Sequence, residues 1–399
     1  MKSFKIMLIT ALSVMTLSCS EKTTTEIPET ELQNISCSTR LITQSSAQTR
    51  GAAPAILSEN DFVLYAFKKN GEGNFSYEEA KHETSTIEDG VWKYNAAFPV
   101  GTYRFIAFYN LDEKNQAALN TAIAGISNQS WENILKNIVI THFPSATDQY
   151  HKDMNEIFCG KTDEINISSG IGGDDNEIKI ELTLKRIVSR IDIKFIKVAS
   201  NNYYIEVPYA TGNIFGETGT ASLTSLIFTP TNIPLKYNLN AENPDYAAGT
   251  QCQVTYNAPS FQYGEANADA VKATGYQPFP KDANAINSNM ETNIKNGIAK
   301  GGAYFMGSYL LPFPSSSQTL NANIQLNKAN QKRTIKVPGF TVTSNYVSII
   351  TVRLKSSTDA GNNNNGNDDE HLFNPKSTFI VEIEKTYDGI HNNTNVDVE

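Results

Sequence analysis

The stretch EIKIELTLKRIVSRIDIKF, residues 177–195, carries the clearest structural pattern in this sequence. Alternation with a period of two predicts β-strands, and a regular strand keeps its apolar residues on one face. Here the apolar face changes at Lys185 and Arg186, so we predict that the chain leaves one sheet and enters another near residues 186–196. The alternating positions are Ile178, Ile180, Leu182 and Leu184, followed by Ile187, Ser189, Ile191, Ile193 and Phe195.

This change of face also predicts a domain boundary. A chain of 399 residues with 40% hydrophobic content is long enough to bury two domain-sized cores. We therefore assign residues 35–190 to an N-terminal domain and residues 191–399 to a C-terminal domain. The alternative is a β-bulge within a single domain, which also reverses the faces of a strand.

Strand patterns dominate the rest of the chain. FVLYAF (residues 62–67) and TYRFIAFYN (residues 102–110) are apolar on both faces, which is typical of strands between two packed layers. Residues 320–337 predict a hairpin, and residues 345–354 predict a further strand. Because loops rather than helices join these strands, the predicted fold class is mainly β, with antiparallel β-sandwich domains.

A few short helices are predicted in the loops between strands. Residues 116–125, 130–140 and 285–302 have helical patterns, and Ser130 is placed to cap the second helix. Near the C-terminus, residues 356–377 are too polar to pack and predict a flexible linker. A last strand follows at residues 378–385, and the pattern leaves open whether this strand closes its own domain or is lent to a neighbour.

The N-terminus has the layout of a bacterial lipoprotein signal. Lys2 and Lys5 precede an apolar run at residues 6–18, which is too short to cross a bilayer as a helix. Cys19 follows, and then a polar tether. We predict a signal peptide at residues 1–18, a lipid-modified Cys19 and a tether at residues 19–34. Acyl chains such as palmitate on Cys19 would anchor the protein without a transmembrane helix; the alternative is an ordinary secreted protein cut near residue 18.

Charge and composition exclude several classes of function. The formal net charge is −9 and there is no basic block, so a nucleic acid is not expected as a partner. Cys37, Cys159 and Cys252 are too widely spaced for a zinc site, although one disulfide remains possible. The sequence lacks GxSxG, HExxH and P-loop motifs, and its five histidines are scattered. We therefore predict no enzyme activity, no catalytic residue, no cofactor and no metal site.

Several segments in order along the chain resemble one protein family. They are the lipoprotein signal, SSAQTRGAAP (residues 45–54), DFVLYAF (61–67), LKRIVSRIDIKF (184–195), YFMGSYLLPF (304–313) and SNYVSIITVRL (344–354). Together they resemble the fimbrillin family of type V pili, with its anchor and tip relatives. The resemblance implies two tandem transthyretin-like β-sandwich domains. It also implies a pilus subunit, exported as an outer-membrane lipoprotein and displayed at the cell surface in a fimbrium.

The resemblance further implies a mode of assembly and a set of partners. In this family an arginine-specific protease removes the lipid anchor and the first strand, and a strand from a neighbouring subunit fills the open groove. The implied partners are other pilus subunits, as strand donors and acceptors, the outer membrane through the lipid, and a host or bacterial surface ligand in adhesion. Whether this chain is a stalk, anchor or tip subunit stays open.

A candidate cleavage site follows the first predicted strand. Residues 35–43 alternate and predict a strand that is able to fill a groove. Directly after it, the small and polar residues 45–55 contain one arginine, Arg50, followed by Gly51. Such a segment is accessible to a protease. We predict processing between Arg50 and Gly51; the alternative is that Arg50 is an ordinary loop residue and the protein stays anchored.

A second class of function is a glycan-binding surface lipoprotein that does not polymerise. Residues 261–280 offer four aromatic side chains in a long predicted loop, a composition suited to stacking on sugars. The same side chains would equally fix the loop to its own domain. They are Phe261, Tyr263, Tyr276 and Phe279.

Overall fold

The fold described here comes from a computed structural model of the chain. The structure describes residues 32–42, 61–88, 91–142, 154–168, 178–207, 214–215, 223–231, 234–240, 256–258, 302–305, 309–313, 319–328, 330–356, 371–373 and 377–386.

Within these ranges the chain forms strands and two helices. The first half contains β1 (Leu32–Ile42), β2 (Phe62–Lys69), β3 (Phe75–Glu78), β4 (Lys81–Glu88), β5 (Val91–Pro99), β6 (Gly101–Tyr109), α1 (Glu113–Ala124), α2 (Trp131–Asn137), β7 (Val139–Thr141), β8 (Phe158–Lys161), β9 (Ile165–Ile167) and β10 (Ile178–Arg186). The second half contains β11 (Ser189–Val198), β12 (Leu223–Thr231), β13 (Lys236–Asn238), β14 (Tyr256–Ala258), β15 (Ala303–Phe305), β16 (Tyr309–Leu310), β17 (Leu320–Lys328), β18 (Gln331–Phe340), β19 (Val347–Lys355) and β20 (Phe379–Thr386). The fold class is therefore mainly β, as predicted.

The first half is built on one nine-stranded sheet. Its order is β3-β2-β6-β8-β10-β1-β5-β4, and β9 pairs with β6 outside this path. Alternate side chains of β1, β2, β5, β6, β8, β9 and β10 converge on a single aromatic-rich core. The same sheet thus supplies residues to this core from strands that are far apart in its order.

Strands β2 and β6 are buried on both faces, as their sequences predict. Phe105 and Ala107 of β6 point into the core inside the sheet, whereas Ile106 and Phe108 point into a second apolar cluster. Helices α1 and α2 cover this second cluster with Leu119, Ile134 and other side chains. The two helices therefore lie on the outer face of the β2 and β6 region.

The second half forms two sheets that enclose a third core. One sheet has the order β15-β11-β19-β20, with β16 also paired to β11, and the other has the order β14-β12-β17-β18. Because β10 belongs to the nine-stranded sheet and β11 to this five-stranded sheet, the chain changes sheet between Arg186 and Ser189. This change coincides with the reversal of apolar faces; the assignment of residues 35–190 and 191–399 to separate domains, like the transthyretin-like topology, stays a prediction.

The two halves are also joined by direct contacts. β13 pairs with β7, and the His142 amide donates a hydrogen bond to the Leu235 carbonyl at 2.9 Å. Leu239 and Leu311 of the second half pack into the cluster under the helices of the first half. An apolar cluster shared in this way resists relative movement of the two halves, because separating them would expose it to water.

Several local predictions are confirmed. β17 and β18 form the predicted hairpin, and α1 and α2 match the first two predicted helices. The Ser130 hydroxyl accepts a hydrogen bond from the Asn133 amide at 3.3 Å, so Ser130 caps α2 as expected. The third predicted helix, at residues 285–302, lies almost entirely outside the described residues.

Two features differ from the predictions. Most strand pairs are antiparallel, but β1 with β10 and β11 with β19 are parallel, because long connections return the chain to the same end of the sheet. The predicted unpacked linker at residues 356–377 is wrong for residues 371–373. Leu372 and Phe373 are buried in the third core, where Phe373 lies 6.4 Å from Phe215 between ring centroids. Two adjacent apolar residues are enough to dock a segment that is otherwise polar.

Candidate functional site: the first strand and its groove

Strand β1 occupies an interior position of the nine-stranded sheet. It runs antiparallel to β5, with Leu32 opposite Pro99 and Thr39 opposite Trp92. On its other side it runs parallel to β10, with Ile35 opposite Ile178. In the part of the chain that the structure describes, the other side of β10 is paired only at its end, where Lys185 and Arg186 meet β8. Among the described residues, most of β10 therefore depends on β1 for its sheet partner.

The side chains of β1 alternate between the core and solvent. Gln33, Ile35, Cys37 and Thr39 are buried, whereas Asn34 is exposed and Ser36 and Ser38 are half-buried. This alternation was predicted for residues 35–43, although the strand begins earlier, at Leu32. The earlier start follows from pairing, because residues 32–34 lie opposite residues 97–99 of β5.

The groove that holds β1 is lined by large apolar side chains. Cys37 lies between Tyr94 of β5 and Ile180 of β10 in the register of the sheet. Trp92, also on β5, stacks on Phe62 with ring centroids 4.8 Å apart and lies 5.2 Å from the Tyr94 ring. Stacked aromatic rings of this kind form a wall with little freedom to rearrange.

Burial controls the chemistry of the thiols and the phenol at this site. Burial raises the pKa of Cys37 to about 12, so its thiol is neutral and unreactive at ordinary pH. Cys159, on β8, also has its pKa raised to about 12 by burial. The pKa of Tyr94 is raised first by burial and then by the hydrogen bond that its hydroxyl donates to Glu83 at 2.6 Å. Cys37 and Cys159 are both free thiols, so they serve as small core residues.

Two buried residues with polar side-chain atoms occupy paired positions on β1 and β5. Thr39 and Trp92 are paired positions, and each side chain belongs to a residue that is only 2% exposed. Within the described part of the chain, neither the Thr39 hydroxyl oxygen nor the Trp92 indole nitrogen has a hydrogen-bond partner. Nothing in the sequence signalled this, because the alternation of residues 35–43 shows which face Thr39 occupies but not what its hydroxyl meets.

The last strand, β20, occupies an edge instead. Among the described strands it pairs with β19 alone, antiparallel, and Phe379, Val381 and Ile383 pack against the third core while staying partly exposed. Arg353 of β19 also binds β20, because its guanidinium Nε donates a hydrogen bond of 2.9 Å to a Glu382 carboxylate oxygen. In this structure the strand predicted at residues 378–385 thus pairs within its own chain.

The remaining candidate residues lie outside the described residues. These are Cys19, Arg50 and Gly51, together with the aromatic residues Phe261, Tyr263, Tyr276 and Phe279. In the part of the chain that is described, no group of three or more His, Cys, Asp or Glu side chains is placed to hold a metal ion. None of the helices described is both long and apolar enough to cross a membrane.

Comparison with known proteins identifies the family. A model of the family described as fimbrillin-A associated anchor proteins Mfa1 and Mfa2 matches residues 37–336. The chain belongs to this family. The match begins inside β1 and ends within β18, so it includes the groove and most of both halves. The family confirms the predicted resemblance and is a fimbrial one, found in cell-surface fimbriae.

Solved structures of fimbrial proteins are similar to this chain at low identity. The tip fimbrial protein Mfa3 from Porphyromonas gingivalis, truncated at its C-terminus, is 10% identical, covers 89% of this chain and 99% of its own, and has a TM-score of 0.42. A fimbrial assembly protein from Parabacteroides distasonis is 8% identical, with coverages of 89% and 100% and a TM-score of 0.34. Among curated proteins, no match was found.

Proposed function

We propose that this protein is a non-enzymatic structural subunit of a cell-surface fimbria. It is exported as an outer-membrane lipoprotein through Cys19 and joins other subunits by strand exchange. Membership of a fimbrial family supports the general role. The position of β1 supports the mode of assembly, since this strand is both the first element of the described chain and an interior member of its sheet.

The interior position of β1 is the observation that carries the proposal. If β1 left the sheet, β5 and β10 would each expose a row of unpaired backbone groups. The apolar groove under Ile35 and Cys37 would be uncovered at the same time. An extended strand from a neighbouring subunit would satisfy both the backbone groups and the groove, which is the physical basis of strand addition.

The location of Arg50 supports release of β1 by proteolysis. Arg50 lies between the end of β1 at Ile42 and the start of β2 at Phe62. A cut between Arg50 and Gly51 would separate β1, and any lipid on Cys19, from the rest of the chain in one step. By contrast, Arg40 lies inside β1, where its pairing with Thr183 of β10 protects it from a protease.

Cell fractionation tests the lipid anchor. We expect Cys19→Ala to move the protein from the membrane pellet to the soluble exported fraction, and precursor with its signal attached to accumulate. Ser18→Ala is the matched control, since it changes the adjacent residue and keeps the thiol. Unchanged membrane association of Cys19→Ala would rule out the lipoprotein.

N-terminal sequencing of assembled surface protein tests the processing step. We expect Gly51 as the first residue, and we expect Arg50→Ala to block both the cut and incorporation into filaments. Arg40→Ala is the control, because this arginine lies within the strand that is removed. An acylated Cys19 at the N-terminus of the assembled subunit would show that the protein stays anchored.

Glycan binding without polymerisation is the second candidate, and one surface feature favours it. Tyr203 and Tyr204 lie next to each other with ring centroids 4.1 Å apart, and Tyr204 is 48% exposed. The Arg353 guanidinium lies 5.4 Å from the Tyr204 ring centroid, which adds a hydrogen-bond donor beside a stacking surface. Binding of the monomer to a glycan array, lost in Tyr204→Ala, would support this role.

A further inference from the structure

Strand β1, which belongs to the same chain as the groove, fits that groove imperfectly. Among its described inward side chains, which are Gln33, Ile35, Cys37 and Thr39, only Ile35 is a large aliphatic one, and Thr39 places a hydroxyl in the core. That hydroxyl lies in a residue 2% exposed and has no hydrogen-bond partner among the described residues. A buried polar group without a partner keeps its desolvation penalty uncompensated, so the position opposes the binding of β1.

The side chains around Thr39 are not free to move so as to reduce this desolvation penalty. Thr39 lies opposite Trp92 on one side and Leu182 on the other; neither side chain has an acceptor for its hydroxyl proton, and the Trp92 indole N–H makes no hydrogen bond to its oxygen. Trp92 is held by its stack on Phe62, at an interplanar angle of 7°, so its indole cannot turn freely towards the hydroxyl. The pocket therefore fits the volume of threonine, but its described residues provide no hydrogen-bond partner for the hydroxyl group.

We propose that the groove selects an incoming strand with valine at the Thr39 position, and that such a strand binds more tightly than β1. This inference rests on the strand exchange proposed above and identifies the residue that drives it. Valine has the shape of threonine with a methyl group in place of the hydroxyl, so it fills the same space without the buried polar atom. A larger side chain would overpack the space against Trp92.

The preference gives strand exchange a direction. The own strand stabilises the subunit during export, while the unpaired hydroxyl keeps its affinity below that of the neighbour's strand. After a cut between β1 and β2, the neighbour's strand replaces β1 because it binds the groove more tightly. No other energy source is needed. Exchange in the reverse direction would require burying the hydroxyl again, which makes the assembled state the more stable one.

Stability of the intact chain tests the position without any exchange. With residues 20–399, we expect Thr39→Val to raise the folding equilibrium constant by about tenfold, measured by denaturant unfolding. Thr183→Val, on the solvent face of β10, is the matched control because it makes the same substitution at an exposed site. We expect it to change the constant by less than about twofold. A destabilised Thr39→Val variant would overturn the proposal.

Peptide competition tests the choice of strand. The chain is cut at a specific protease site inserted after Arg50, and labelled peptides of residues 32–42 compete for the groove, followed by native mass spectrometry. We expect the Thr39→Val peptide to bind about tenfold more tightly than the unchanged peptide. Tighter binding of a Thr39→Asn peptide would instead mean that the groove selects an acceptor for Trp92, and the proposal would be wrong.

The two measurements separate the inference from the proposed function. If no peptide, including the unchanged one, replaces β1 in the cut chain, strand exchange fails while the intact-chain comparison still decides the preference at Thr39. If the unchanged peptide exchanges but the valine peptide does not bind more tightly, strand exchange stands and the inference is refuted.

Discussion

The first and last strands of the described chain hold very different positions. β1 has a partner on each side and places Ile35 and Cys37 in the core with no exposed surface, whereas β20 has one partner and leaves its apolar side chains partly exposed. The loss of an interior strand breaks two ladders and opens a core, while the loss of an edge strand shortens a sheet by one member. Under the strand exchange proposed above, this comparison favours β1 rather than β20 as the strand that is replaced.

Deletion of each strand provides the largest contrast. We expect a chain that begins at residue 44 to lose cooperative unfolding of its first half, because β5 and β10 both lose the pairing with β1. A chain that ends at residue 377 should stay folded with a modest fall in Tm. This second deletion keeps Leu372 and Phe373, which belong to the core. Calorimetry and near-UV circular dichroism measure both; equal losses would refute the contrast.

A fully buried ion pair beside β10 and a partly buried one beside β20 should differ in their contribution to stability. Arg186, at the end of β10, lies 2.6 Å from Glu156 with both side chains almost fully buried. Arg186→Met should cost about 3–5 kcal/mol, because it leaves a carboxylate buried without that partner. Arg353→Met, which removes the partner of the more exposed Glu382 beside β20, should cost about 1 kcal/mol. Denaturant unfolding of both variants checks this order, and the reverse order would contradict it.

Truncation of one isoleucine in each strand gives a finer measure. Ile35→Ala should cost about 2–5 kcal/mol, since Ile35 is fully buried between β5 and β10 and its loss leaves a cavity. Ile383→Ala should cost less, because its side chain is already partly exposed to water at an edge. Urea unfolding midpoints measure both changes. A larger loss for Ile383→Ala would mean that β20 contributes more to the fold than its position indicates.

The reactivity of the Cys37 thiol measures the finest difference, which is how often the groove opens. In a chain with Cys19, Cys159 and Cys252 replaced by alanine, the remaining Cys37 has its pKa raised to about 12, so at pH 8 almost none of it is thiolate. We expect a disulfide reagent to modify it at least about a hundredfold more slowly than in the unfolded chain. Addition of a competing strand to the cut chain should abolish this protection. Rapid modification of the uncut protein would show that β1 leaves the groove without a cut.

Local sequence patterns predicted most of the elements. The period of two in residues 178–195 identified both strands and the point where the chain changes sheet, because side chains of a strand alternate between faces whatever the partner. Ser130 identified the start of α2 for the same local reason, since a cap bonds to residues within one turn. The burial of Leu372 and Phe373 was missed, because two apolar residues are too short a run to show a period.

What the sequence determined by itself was the class of fold, the inward face of β1 and the family resemblance. Each of these depends on residue type and spacing along the chain. Only the tertiary structure decided that β1 lies between β5 and β10, that it runs parallel to β10, and that Thr39 meets Trp92. These features join residues more than 50 positions apart, and strand pairing between distant segments follows from how the whole core packs rather than from any local pattern.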